Sequence, residues 1–297
     1  MPRLYFERRS FSYNTNVTRP IAGTVAGNAE IHAFAHNGYS GGAGQLEAWL
    51  NGLSQGTASQ DVVALFGSGG HLAIPFQSAN INRAGDVAEL IVFNRKLNAA
   101  EQQILENHLS AKYGIALDAN DRYQGDEPAK GDYDWDVIGI GRLADGALTE
   151  STAAGLRITE TGGSLDVGDF VLAGHAAPQN ALVFGGGWEH WQRVWYVDAT
   201  GEVDVQLAFD FVEAGLGPEE INRARLVYSA TDPLAFRGLA LVPTIQGSQV
   251  LFQVPASLLA DGYYTVGLVP EPASLVLLGV GMLAVVLGKR RWRRAPR

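Results

Sequence analysis

The sequence predicts a mainly β chain. It reads as two antiparallel, jelly-roll-like β-sandwich units, the first incomplete, followed by a C-terminal transmembrane helix. Three observations carry this. The 297 residues include 36 glycines spread among short apolar runs, a pattern of many tight turns and many short strands. Only one stretch, around 99–113, repeats its apolar residues at helical spacing. Residues 273–288 (ASLVLLGVGMLAVVLG) are uncharged throughout and are followed at once by KRRWRR.

In chain order, Leu46, Ala48 and Leu50 alternate with Glu47 and Trp49, and Asn51-Gly52 follows. Asn-Gly between alternating runs predicts a two-residue hairpin, because both central residues must accept positive φ. Further strands are expected at 61–66, 71–76 and 86–93. Asn98 with Glu101 forms a capping-box signature. Ile104, Leu105, His108, Leu109 and Tyr113 then give one apolar face, and Gly114 supplies the stop, so a helix over 99–113 should pack on a sheet. Residues 118–133 (DANDRYQGDEPAKGDY) are polar with glycine and proline and read as a linker. Beyond it, strands are expected at about 135–140, 155–160, 169–173, 193–199, 202–211, 223–229, 249–254 and 262–268. The segment Ala199-Thr200-Gly201 reads as a hairpin turn, with Val203, Val205, Leu207 and Phe209 on one face. The units are therefore 1–117, a linker at 118–133, 134–267, and a tail at 268–297.

Charge separates body from tail. Of 22 basic residues, six stand in the last nine positions, and of 31 acidic residues only Glu271 lies beyond 270. The first 270 residues thus carry 16 basic against 30 acidic residues, a formal charge of −14. A body this acidic argues against nucleic-acid binding, which needs cations to replace counterions on phosphate. There is no cysteine, so disulfides and thiolate metal sites are excluded.

In the tail, Val269, Pro270, Glu271, Pro272, Ala273 and Ser274 precede the apolar run. Two prolines around one residue force an extended segment that an enzyme can bind as a strand. The run of sixteen is slightly short for a full crossing; Leu268 and Val269 before it and Trp292 after it extend it. The basic end, Lys289, Arg290, Arg291, Arg293 and Arg294, places that flank in the cytoplasm and the body across the membrane. Taken in order, the VPEPAS segment, the apolar helix and the arginine cluster resemble the PEP-CTERM sorting signal. That resemblance implies recognition by exosortase, an integral membrane enzyme, with the tail removed as the protein reaches the surface. It also implies a Gram-negative-type bacterium that makes exopolysaccharide, and an inner-membrane stage before the cell surface or matrix. The chain begins MPRLYFERRSFSYNTNVTRP, with no apolar segment of signal-peptide length.

Two further likenesses concern the body. AWLNGLSQGT, then GDVAELIVFNRKLNAAEQQILENHLSAKYGI, resembles the closing half of a laminin-G-like, concanavalin-A-type domain over about 25–116. Such domains bind glycans or proteins or act as spacers. DVIGIGR, DFVLAGH and RVWYVDATGEVDVQLAFDF resemble the β domain that follows them in surface proteins. The opening strands of a laminin-G-like sandwich are not visible. With the missing signal peptide, this predicts a start inside a longer gene product. Residues 1–117 are then expected to be poorly stable alone, and 134–267 to fold independently.

Chemistry is sparse. Gly38-Tyr39-Ser40-Gly41-Gly42 matches G-x-S-x-G, but a nucleophile elbow needs a helix after the serine, and a glycine-rich stretch follows instead. The paired-carboxylate signature of laminarinase-like glycosidases is absent. The histidines (His32, His36, His71, His108, His175, His190) are scattered and make no H-E-x-x-H motif. No catalytic residue and no metal ligand is assigned, and no cofactor is expected. The acidic residues Asp118, Asp121, Asp126, Asp132 and Asp134 offer oxygens for calcium, with a solvated linker as the alternative. Trp188, Trp191 and Trp195 offer either a glycan-stacking platform, at Trp188 and Trp191, or core packing. The leading reading is an exported structural or adhesive protein, not an enzyme, with exosortase as processing partner and extracellular polysaccharide or surface proteins as further ones. The alternatives are the end of a polysaccharide-active enzyme whose catalytic part lies elsewhere, and a permanently membrane-anchored surface protein.

Overall fold

A computed structural model describes residues 29–36, 43–61, 87–176, 180–214 and 217–269. Strands β1 (His32–His36), β2 (Ala43–Leu50) and β3 (Leu53–Asp61) form an antiparallel three-stranded sheet. The β2–β3 turn is the expected one: Asn51 and Gly52 both take positive φ, 47° and 79°. Gly52 is obligatory for a second reason. A Cβ there would stand 2.2 Å from the Ala119 carbonyl oxygen. Ala48 and Leu50 are buried, as the alternation requires.

Residues 87–93 do not form the expected strand. They lie in no sheet, and Val87, Leu90, Ile91, Val92 and Phe93 are exposed. An apolar run becomes a strand only beside a partner edge, and no described strand flanks this one. The strands expected at 61–66 and 71–76 fall outside the described residues after Asp61.

Helix α1 (Ala99–Tyr113) carries the expected capping box at Asn98 and Glu101 and ends on Gly114 in the left-handed region. Its buried face is not the expected one. Ala100, Ile104 and Ala111 are buried with the polar Gln102, Glu106, Asn107 and Ser110, whereas Tyr113 is exposed. The helix is covered on two sides, by a sheet and by the chain that follows it, and a single apolar stripe cannot describe that.

The rest is a sandwich of antiparallel sheets. Its strands are β4 (Trp135–Leu143), β5 (Gly146–Leu148), β6 (Glu150–Ala153), β7 (Leu156–Glu160), β8 (Phe170–His175), β9 (Leu182–Gly185), β10 (Trp188–Trp191), β11 (Trp195–Thr200), β12 (Val205–Asp210), β13 (Ala224–Ser229), β14 (Arg237–Gly238), β15 (Thr244–Gln246), β16 (Gln249–Val254) and β17 (Gly262–Leu268). Two one-turn helices, α2 (Phe211–Ala214) and α3 (Pro218–Ile221), join β12 to β13. One sheet has nine strands in the order β14-β13-β17-β11-β8-β4-β5, with β10 added to β17 and β9 to β10. The other has five, β15-β16-β12-β7-β6. Between them lies the main core, with Ile140, Val171, Trp195 and Val266 facing Ile158, Leu207, Phe209 and Phe252.

The outer face of the nine-stranded sheet is also buried. Phe170, Leu172, Tyr196, Val227 and Tyr263 pack under Ala100, Ile104, Tyr123 and Tyr133. The result is three layers. β8 and β17 are therefore buried at every position and lack a solvent-facing alternation. Residues 118–133 are thus not a linker. Tyr123 and Tyr133 are 1% and 4% exposed, and the Tyr123 hydroxyl donates to the Tyr133 carbonyl at 2.6 Å. The Asn107 amide holds the same segment, accepting from the backbone N–H of Arg122 and Tyr123 and donating to the Asn120 carbonyl. Helix α1, expected with the first unit, packs on this sheet.

The hairpin expected at Ala199-Thr200-Gly201 is a crossover. β11 pairs with β8 and β17, and β12 with β7 and β16, so the chain passes from one sheet to the other. Val203, Val205, Leu207 and Phe209 do share the core. Turn chemistry marks where a chain reverses, not which strand it then meets.

Candidate functional site

The tail begins at the end of β17, and the residues around that strand define its root. β17 changes partner along its length. Residues 262–264 pair with β11 and residues 267–268 with β10. Where the partner changes, the buried Thr265 hydroxyl lies between the carbonyls of Trp191 and Arg193, at 2.9 and 3.0 Å. On its other edge β17 pairs with β13 over 263–268, and the Val269 N–H donates to the Arg223 carbonyl at 2.9 Å. Leu268 is 1% exposed. Of the motif residues, Val269 is thus tied to the sheet. Pro270, Glu271 and Pro272 lie outside the described residues, as do Lys289, Arg290, Arg291, Arg293 and Arg294 and the helix expected over 273–288. Among the described residues, no helix is long and apolar enough to cross a membrane.

The tryptophans do not form a shared platform. Trp191 is fully buried between the sheets, edge-on to Phe209 and under the Arg193 guanidinium. Trp195 is also fully buried and meets His175 edge-on. Trp188 is half-buried on the opposite face of the sheet, lying over Gly238 and Gly267, where a Cβ would stand 2.9 Å from its ring. Positions three apart in a strand point to opposite faces, so Trp188 and Trp191 cannot stack on one sugar.

The acidic segment folds around its tyrosines. Asp126 is pushed up to about 6, first by burial and then by the Asp121 charge. Burial also raises Asp121 and Asp198, and the Asp198 carboxylate accepts the Gln124 N–H at 2.9 Å. Among the described residues, no group of three or more His, Asp or Glu is placed to hold a metal ion. His32 meets Glu30, His108 the Val137 carbonyl, His175 Asp136 and His190 the Trp191 carbonyl. His71 and Ser40, with its G-x-S-x-G context, lie outside the described residues.

One cleft, of about 60 Å3, lies between β2 and α1, with Glu47, Lys96, Gln102, Glu106 and Asp145 on its walls. It is far below the several hundred Å3 typical of small-molecule sites. Glu106 is 2% exposed, accepts one bond from Gln102 at 3.1 Å, and is pushed up to about 7 by burial. Its helical neighbours are apolar or neutral, and nothing in the one-dimensional pattern marks it.

The geometry is that of a three-layered β body with a tail fused directly to a central strand. Residues 268–294 match the family described as the PEP-CTERM protein-sorting motif, so the match begins on the last residue of β17. The match lies wholly in the tail. That motif marks exported proteins that exosortase processes on the way to the cell surface. No curated protein and no solved structure matches the chain.

Proposed function

We propose that the chain is a structural or adhesive surface protein without catalytic activity, delivered by exosortase through its tail. The observation that carries this is the match at 268–294, starting on the last residue of β17. Before processing, the protein would span the inner membrane once, with the basic end in the cytoplasm. Afterwards the body would stand at the surface or in the extracellular matrix. Several features favour a structural role over a catalytic one. Both faces of the large sheet are covered, the β2–α1 cleft is small, and His32, His108, His175 and His190 are each engaged locally. Contact with polysaccharide is part of this reading, and a stacking residue for it would be Trp188 alone.

The test is localisation of the full chain beside its Pro270→Ala/Pro272→Ala variant, in cells with a working exosortase. The unaltered chain should appear at the surface with a shortened C-terminus. The variant should stay in the membrane fraction at full length. Equal surface delivery of both would refute the sorting role of the motif.

A further inference from the structure

We propose that the end of the sandwich from which β17 leaves is a bilayer-docking face, and that Phe184 and Leu234 are the side chains that enter the headgroup layer. This rests on the membrane-spanning reading of the tail.

Topology defines which groups share that end. β11 passes to β12 through residues 201–204, so Gly201 and the start of β17 mark one end of the sandwich. β17 runs away from it and finishes at the other end, beside the start of β13. β10 also runs antiparallel to β17, so the β9–β10 turn, Gly186-Gly187, lies at the exit end. The register places Phe184 opposite Glu189, and Glu189 opposite Leu268. Phe184 is therefore two strands, about 10 Å, from Leu268 at the end of β17. It is 78% exposed. Leu234 is 65% exposed, and its carbonyl lies against the same turn, where a Cβ on Gly186 would stand 2.2 Å away. Val212, 74% exposed, follows β12 at this end.

Reach makes the bilayer the occupant. Five residue steps separate Leu268 from Ala273, where the uncharged run begins. Fully extended they span about 17 Å. The headgroup layer itself takes up about 6 Å of that on each side. With Leu268 held in a central strand, the exit end cannot stand farther than about 10 Å from the headgroups, and a modest tilt puts Phe184 among them. Arg225, on β13, and Arg223, just before it, suit an anionic surface, but Glu189 lies in the row of Leu268, and the β12–β13 connection at this end adds Asp210, Glu213, Glu219 and Glu220. Reach and the exposed apolar side chains, not charge, therefore carry the docking. Exposed apolar side chains occur at the opposite end too, such as Val167 on the loop before β8. They lie a strand length away from the membrane and serve as the control.

The absence of cysteine makes the test clean. Full-length Phe184→Cys, Leu234→Cys, Val167→Cys and Leu278→Cys chains are each labelled with a polarity-sensitive fluorophore. They are reconstituted without exosortase into phosphatidylcholine vesicles containing phosphatidylglycerol and nitroxide-labelled lipid. The label at 278 reports on the tail. The proposal expects quenching at 278, loss of about half the emission with a blue shift at 184 and 234, and little change at 167. Quenching at 278 with 184 and 234 behaving like 167 would overturn the docking face while leaving the tail reading intact. No quenching at 278 would overturn the tail reading and the docking face with it.

Discussion

Glu106→Gln should remove a large pH dependence from the stability of the body. Glu106 is a buried carboxyl beneath the Asn51-Gly52 turn, where a Cβ on Gly52 would stand 3.7 Å from its Oε2, and its one hydrogen bond comes from Gln102. Burial raises it from 4.5 to about 7 in the folded state. Between those values the folded protein holds a proton that the unfolded chain has released. Stability from this group is therefore complete below pH 4.5 and is lost as the pH rises toward 7. At about 1.4 kcal/mol per unit, the loss by pH 8 is about 3 kcal/mol. Glutamine keeps the shape and an acceptor for Gln102 but cannot ionise. Asp126, Asp121 and Asp198 are raised too and act with the same sign, but equally in both proteins. The assay is denaturant unfolding of the chain ending at Val269, with and without the substitution, from pH 5 to pH 8. The two should be close at pH 5, with the variant ahead by about 3 kcal/mol at pH 8. Parallel curves would show that Glu106 is charged at little cost, and the burial argument would fall.

Two other predictions concern the layer outside the large sheet. Asn107→Ala removes the acceptor for the Arg122 and Tyr123 N–H groups and should cost about 2–3 kcal/mol, opening 118–133 to trypsin at Arg122 and Lys130. Unchanged protection in limited proteolysis would contradict the clamp. A chain covering 134–269 lacks Ala100, Ile104, Tyr123 and Tyr133, so it should unfold less cooperatively than one covering 95–269, as thermal melts of the two will reveal. Equal melting would restore the independent folding that the letters alone suggest.

What the sequence disclosed depends on how far each signal reaches. The Asn51-Gly52 turn, the Asn98 cap and the Gly114 stop are local backbone demands, and each is met as written. The eight strands expected after residue 134 are present, because their apolar runs are dense enough to mark strands even where both faces are buried. β5, β6, β9, β10, β14 and β15 passed unnoticed, since segments of two to four residues give no period to count. The crossover after Thr200 and the docking of 118–133 were illegible for another reason. They depend on which partner lies across the core, and Tyr123 and Tyr133 stand in a background of Asp, Gly and Pro that reads as solvent-exposed. Trp188 and Trp191 looked like one cluster in the letters and are parted by the two-residue alternation of a strand. The tail was legible because its three features are ordered along the chain and need no tertiary partner.

The sorting role is tested most directly by the intact mass of the protein recovered from the surface of cells with a working exosortase. The mass should correspond to a chain lacking the residues after about Pro272, with β17 complete through Leu268. A surface protein that still ends at Arg297 would contradict processing and point to a permanent anchor.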